Sequence, residues 1–480
     1  MPLTVTVDTD PLGPDSIINL TYSTDSDSSA IPPAPTPEAL PRRLSLAQGT
    51  ALNMIDMVGI GPFVVLPLVI QIIGGPQFIW AWVLGAVISL IDAFIWAELG
   101  AAYPLAGGSY SFLKIAYGER RWGKLLSFLY VWQTLIQAPL VVASGAIGFA
   151  QYFSFLVPLT PWQSKCVSGM AVLVVIGLLY RKIDSIGRIG MVLWGVVLVT
   201  LGWIIIGGLT HGQTPVSEVL RSAVGPASVN NGWWAAGLGA ASVKTVYCYL
   251  GYYNVCHLGS EIRRPERNIP VSMFLSIAGI AVLYLLLNVS VVSVIPWQQA
   301  KESKFIVSSV IEAIYGHGAA QIATALVLMV AFSSLFAVLL GYSRVPYAAA
   351  ADGQFFPIFA RLHPTRQFPY VSLLFLGGLA FIFSLLFRLG DVITAILAMR
   401  IVVQFIGQAV GLWLLHRRKT DQTFPFRMPL YPLPIVLAVA VWLFIFVSTG
   451  LSFMLSGLTV IALGVVAFLV SARVRGQWPF

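Results

Sequence analysis

The segment IDMVGIGPFVV, residues 55–65, sets a carboxylate, Asp56, in an apolar run and follows it with Gly59, Gly61 and Pro62. Glycine and proline interrupt helices, and an ionisable side chain inside a membrane span is costly and commonly functional. If a helix unwinds at Gly59–Gly61, the amides of Ile60 and Gly61 lose their intrahelical acceptors. They then point from the positive end of a new half-helix, an arrangement that receives a carboxylate. Pro62 has no amide and suits the first position of that half-helix. On the near side the freed groups are carbonyls, Met57 and Val58 among them, with Asp56 one turn before the break. Asp56 could face a substrate amine, bind a coupling cation or carry a proton. The same residues also fit a simple kink, since Gly and Pro are common in membrane helices, with Asp56 a structural carboxylate.

A second segment, YCYLGYYNV at 247–255, has Gly251 amid aromatic residues. A break there frees carbonyls from Tyr247 to Leu250 for a cationic amine, and Tyr247, Tyr249, Tyr252 and Tyr253 could close over a bound solute. A zwitterion would fit between the amides of the first break and the carbonyls of both. Asp92, Lys244 and Arg400 are further charges in apolar surroundings; Lys244 or Arg400 could pair with Asp92. Trp132, Gln133 and Gln137 are candidate pocket walls or ordinary packing. Cys166, Cys248 and Cys256 form no metal-type pair, and no HExxH occurs, so no catalytic or metal site is expected.

These residues need a membrane frame. The chain has 480 residues, 58% hydrophobic and 10% charged, against about 25% charged in a soluble protein. Apolar runs predict twelve spans, near 48–74, 77–103, 124–156, 165–181, 186–209, 235–258, 270–295, 318–342, 370–388, 391–415, 433–451 and 453–472. With both termini cytoplasmic, five of the 28 Lys and Arg lie outside (Lys165, Arg221, Lys301, Lys304, Arg388) and two within spans (Lys244, Arg400). The rest face the cytoplasm, as orientation rules require. Basic clusters there would meet anionic lipid headgroups, and nothing suggests nucleic-acid binding.

Residues 1–45 read as a disordered acidic cytoplasmic tail without the pattern of a secretory signal. A transport domain follows over 46–472, then a cytoplasmic end at 473–480. The breaks in spans 1 and 6 lie five spans apart, so they face the bilayer in opposite directions. Such pairs point to inverted repeats, here about 48–209 and 235–415, with helices 11 and 12 (about 433–472) outside.

Four segments carry a family resemblance. GSEIRRPERNIP (259–270), AELGAAYPLAGGSYSFLKIAYG (97–118), SRVPYAAAADGQFFPIFARLHP (343–364) and VGIGPF (58–63) resemble, in order, conserved-pattern segments of the amino acid–polyamine–organocation superfamily. The resemblance implies an all-α membrane protein with a LeuT-like 5+5 inverted repeat and broken helices 1 and 6. It implies secondary active transport of amino acids or related amines by alternating access in the cell membrane, not enzymatic activity. Polyamine transport, uncoupled exchange and a non-transporting nutrient sensor are the alternatives.

The candidate substrate-binding set is Met57, Val58, Gly59, Ile60, Gly61, Tyr247, Tyr249, Leu250 and Gly251; the resemblance implies that the Ile60 and Gly61 amides receive a carboxylate and the Met57, Tyr247 and Leu250 carbonyls an amine, with Tyr247 at an aromatic gate. Ser333 and Ser334 would stand at a cation site. The fifth span lacks the lysine that replaces this ion in some relatives, so H+ or Na+ is implied and no other cofactor. Glu98, Glu261 and Arg344 read as gate or loop pairs, with Tyr252 and Tyr253 beside them. Cys166 could tether a partner subunit as in heteromeric relatives. Ile60 and Pro62 depart from the family pattern, which usually offers a small polar residue and a further amide.

Overall fold

The structure is a computed structural model describing residues 40–118, 122–224, 233–387, 389–418, 424–474 and 476. Its regular structure is helical, apart from two isolated bridges, Leu44 with Ile262 and Ala106 with Leu258. The helices are α1 (Leu46–Val58), α2 (Gly61–Ile73), α3 (Ile79–Ala102), α4 (Ser109–Tyr117), α5 (Trp122–Leu156), α6 (Pro161–Leu179) and α7 (Ile183–His211). Next come α8 (Val216–Val224), α9 (Trp233–Tyr249), α10 (Asn254–His257), α11 (Pro265–Val294), α12 (Trp297–Ala300), α13 (Ile306–Tyr315) and α14 (His317–Tyr342). The remainder are α15 (Arg344–Ala351), α16 (Tyr370–Leu386), α17 (Leu389–Arg400), α18 (Gly407–Arg417), α19 (Leu433–Ser448) and α20 (Leu451–Val474).

Among the described residues, eight helical stretches are long and apolar enough to cross a membrane, or nine if α1 and α2 count as one bent span. α13, α16 and α19 are shorter apolar helices. Outward-facing Val192, Val199, Ile206, Val466 and Val470 are each more than half exposed, an apolar exterior suited to lipid.

Local chemistry sets the helix ends. Ser45 caps α1 in a reciprocal box with Gln48: the Gln48 amide donates to Ser45 Oγ at 3.3 Å and the Ser45 amide to Gln48 Oε1 at 2.9 Å. α1 stops at Gly59, and α2 restarts at Gly61 with Pro62 in its first turn, the axes bent by 43°. α9 ends at Tyr249, and the chain re-enters helix only at Asn254. A third irregularity was not expected: between α17 and α18 the chain forms a π-helix over Ile401–Ile406.

The broken helices lie at the centre. α1 packs on α7, α11 and α14, and α2 on α9. Leu52, Ile55, Val58, Val65 and Val69 have no solvent exposure, whereas α20 buries only Gly457, Gly464 and Ala472.

Of the tail expected over 1–45, residues 1–39 lie outside the described residues, as do 475 and 477–480 of the expected cytoplasmic end, Arg388, and Arg120, Arg121 and Lys419 among the basic residues placed in the cytoplasm. Residues 40–45 are packed, with Leu40 and Leu44 buried. The amides of Arg43 and Leu44 donate to the Glu261 carbonyl at 2.8 and 2.9 Å, and the Arg263 amide to the Leu44 carbonyl at 2.9 Å. The Glu261 side chain takes a bidentate grip from Arg344, at 2.8 Å from Nε and 3.1 Å from Nη2, with both side chains buried. Glu98 accepts from the Met428 amide at 3.0 Å and pairs with His416 Nε2 at 2.7 Å, fastening the segment after α18 to the end of α3. Both carboxylates are thus structural clasps.

Removing one partner of a buried pair strands the other charge. Arg344→Ala should therefore cost on the order of 3–5 kcal/mol. Arg43→Ala, which breaks an exposed pair with Asp184, should cost under about 1 kcal/mol. Thermal unfolding in detergent measures both, and equal shifts would contradict the burial argument.

Candidate functional site

The two breaks meet at one cavity. The first contributes Asp56, Met57, Gly59, Ile60 and Gly61; the second contributes Tyr247, Cys248, Leu250, Gly251 and Tyr253. Val141 and Gly145 of α5, Ser334, Val338 and Tyr342 of α14, and Arg400 at the end of α17 complete it.

Both glycines are required by conformation and space. Gly59 has φ +23°, and a Cβ there would lie 2.6 Å from Ser334 Oγ. Gly251 has φ +122°, and a Cβ there would lie 2.8 Å from Asp56 Cγ and 2.9 Å from the Met57 amide. The second break is therefore pressed directly onto the last turn of α1.

The freed backbone groups are partly engaged. The Tyr284 hydroxyl on α11 lies 2.7 Å from the Met57 carbonyl and 3.1 Å from the Cys248 carbonyl, bridging the two broken ends. The Val255 amide at the start of α10 donates to Asn53 Oδ1 of α1 at 2.9 Å. Asn254 Nδ2 donates to the Ala337 carbonyl of α14 at 2.9 Å. Met57, expected to offer a free carbonyl, thus already accepts one hydrogen bond, although a carbonyl has a second lone pair.

Of the expected site residues, Asp56, Met57, Gly59, Ile60, Gly61, Tyr247, Leu250, Gly251, Tyr253 and Ser334 line the cavity. Val58, Tyr249, Tyr252 and Ser333 do not. Successive helical side chains diverge by about 100°, so Val58 turns into the core. Tyr249 packs edge-on to Trp82 and Tyr284, at ring distances of 6.5 and 5.2 Å. Tyr252 donates to Asp92 Oδ2 at 2.5 Å. Ser333 Oγ donates to Val330 of its own helix at 2.7 Å, leaving only Ser334 of the candidate cation pair beside the break.

The remaining charges resolve differently from the sequence expectation. Asp92 pairs with neither cation: its second oxygen accepts from Trp442 Nε1 at 2.9 Å. Lys244 donates to Thr394 Oγ1 at 2.8 Å. Arg400 belongs to the cavity itself, a role its position in the sequence did not disclose. Trp132 donates to the Val460 carbonyl at 3.0 Å; Gln133 and Gln137 are buried and do not line the cavity. Cys166 is exposed, and Cys248 lines the cavity wall. Among the described residues, no group of three His, Cys, Asp or Glu gathers as metal ligands would.

A multi-pass helical membrane protein with an internal charged cavity between broken helices is the class defined here. The chain belongs to the amino acid permease family, whose model matches residues 44–470. It is similar to the uncharacterized amino acid permease YecA of Bacillus subtilis (strain 168), 26% identical over 330 residues, covering 69% of this chain and 74% of the relative. It is also similar to the serine/threonine exchanger SteT of the same organism, 24% identical over 427 residues, covering 85% and 91%. A human relative, cationic amino acid transporter 4, is 26% identical over 374 residues, covering 74% of this chain and 57% of that protein. The expected family is thereby met, and it is one of transporters rather than enzymes. The names of these relatives refer to amino acids and not to polyamines.

The Tyr284 bridge is testable against a neighbour of the same type. Tyr284→Phe should lower stability by about 1 kcal/mol, the typical net contribution of one hydrogen bond. Tyr249→Phe should be close to neutral, because the Tyr249 hydroxyl has no hydrogen-bond partner among the described residues. Melting curves of the purified variants check the order; the reverse ranking would remove the bridge from the account.

Proposed function

We propose that the protein is a secondary active transporter of amino acids, working by alternating access to the cavity between its two broken helices. The observation that carries this reading is the junction itself: Gly251 abuts Asp56 and Met57, and Ser334 abuts Gly59. A break inside a bilayer is tolerated where it lines a protein cavity, and two breaks at one cavity supply both amides and carbonyls to a zwitterion. The wider architecture supports it. The broken pair, the eight long stretches, α16, α19, and α9 with α10 amount to twelve spans, with the breaks five spans apart. That spacing fits a LeuT-like 5+5 inverted repeat, with α19 and α20 outside it.

We assign both termini to the cytoplasm from the Lys and Arg distribution, and the protein to the cell membrane. Asp56 is assigned to coupling, either carrying a proton or facing a cation near Ser334. Arg400 in the same cavity opposes a polycation, so amino acids are preferred to polyamines as substrates. Similarity to a serine/threonine exchanger favours a second reading, exchange of one amino acid for another without ion coupling.

Uptake into proteoliposomes, with an amino acid panel and separately imposed proton and sodium gradients, tests both readings. Gradient-driven accumulation supports the first; counterflow alone supports the second; binding without flux would sink both. Asp56→Asn should abolish gradient-driven accumulation. Unchanged accumulation would remove Asp56 from coupling.

A further inference from the structure

The inference concerns Arg400 and rests on the transport reading above. Arg400 is 2% exposed. Its Nε donates to Gln404 Oε1 at 3.1 Å, and its Nη2 donates to the hydroxyls of Tyr253 and Tyr342. Its Nη1 has no hydrogen-bond partner among the described residues. The rings of Tyr253, Tyr342 and Phe405 lie 5.3, 5.6 and 5.8 Å from its guanidinium carbon. Aromatic faces attract a cation but do not neutralise it, and among the described residues no carboxylate closes on Arg400 as an ion pair. A buried cation so held is costly and is expected to have a functional partner.

Asp56 lines the same cavity, half-buried, and it too has no hydrogen-bond or ion-pair partner among the described residues. A carboxyl group and a guanidinium therefore face one space with no ion pair between them. Elsewhere the buried carboxylates are engaged by the protein itself, Glu261 by Arg344 and Asp92 by Tyr252 and Trp442. Among the described residues Asp56 has no such partner, and Arg400 has neutral partners but no carboxylate.

Two further observations single out Arg400. The first-break receptor for a carboxylate is short of a donor, because Pro62 in the first turn of α2 has no amide. And Arg400 immediately precedes the π-helical turn Ile401–Ile406; such segments occur frequently at functional sites. Here the turn contains Gln404, which holds the guanidinium through Nε.

We propose that Arg400 receives the carboxylate of a zwitterionic amino acid whose ammonium faces Asp56, and that it makes the cavity select amino acids over amines lacking a carboxylate. The substrate then bridges Asp56 and Arg400 across the cavity. An Nη1 N–H can donate to one carboxylate oxygen, and a charged donor makes a stronger hydrogen bond than a backbone amide.

The test uses the full-length protein in detergent and isothermal titration with three ligands: an amino acid that the wild type binds, its carboxamide and its decarboxylated amine. The wild type should bind the amino acid at least about tenfold more tightly than either analogue. In Arg400→Gln the amino acid should weaken by roughly 10- to 100-fold, while the two analogues change by less than about threefold. Undiminished discrimination in Arg400→Gln would overturn the proposal by placing the carboxylate elsewhere. Equal weakening of all three ligands would also overturn it, reducing Arg400 to a brace for Tyr253 and Tyr342. If Arg400→Gln does not purify as a monodisperse species, Arg400→Lys decides: partial loss of discrimination supports the proposal, and wild-type discrimination overturns it. A wild type that binds no amino acid in the panel removes the transport reading and this inference with it; wild-type binding with an unchanged Arg400→Gln profile removes only the inference.

Discussion

The structure depends on one constraint: a backbone amide or carbonyl released from a helix inside a bilayer must find a partner within the protein. Two helices are broken here, and their loose ends are tied by few side chains. Tyr284 bridges the carbonyls of Met57 and Cys248, and Asn53 takes the Val255 amide. Asn254 reaches the Ala337 carbonyl. These bonds join α1, α9, α10, α11 and α14 at one level of the bundle. The residues they join include Met57 and Cys248 of the cavity wall, so the same bonds brace the scaffold and the site.

The same division holds for charge. Burying a carboxylate or guanidinium is tolerable when donors or acceptors replace the lost water. Glu261 has a bidentate arginine, Glu98 a histidine and a backbone amide, and Asp92 a phenol and an indole. Each set ties neighbouring segments together and uses up the carboxylate. Asp56 faces the cavity without such partners, and Arg400 faces it held by the neutral side chains of Gln404, Tyr253 and Tyr342, with no carboxylate paired to it among the described residues. A family assignment alone does not draw this distinction; the partners of each buried charge do.

Much of this was legible in the sequence. Glycines with an adjacent acid and a following proline marked the first break, and a glycine among tyrosines marked the second, because unwinding has a local chemical signature. Apolar runs located the spans for a similar reason. What remained hidden was direction. Tyr249 and Tyr252 flank the break as Tyr247 and Tyr253 do, yet only the latter two reach the cavity. Tyr284 sits in the apolar run AVLYLLLN, where nothing local separates a bridging phenol from a packed one. Asp92 was weighed against cations, the wrong partner class, since two neutral donors suffice for it. Arg400 was visible as a charge, but its place was not, because the π-turn that follows it breaks the 3.6-residue register by which a face is read.

The clasp at Glu261 gains meaning from its distance along the chain. Only α10, one helical turn, separates the second break from the segment that holds Glu261. Asn254 and Val255 at the start of α10 are bonded to α14 and α1. Beyond its end, Leu258 bridges Ala106, Glu261 grips Arg344, and Ile262 bridges Leu44 just before α1 begins. A helix this short cannot absorb movement by bending, so a displacement of its first residues is passed to its last. In the proposed cycle, opening this end of the bundle must therefore shift α10 together with the start of α1, because the Leu44 bridge and the Asn53 bond tie them at both ends. In that cycle a solute bridging Asp56 and Arg400 would sit beside the ends of α1 and α9 that the Tyr284 bridge holds.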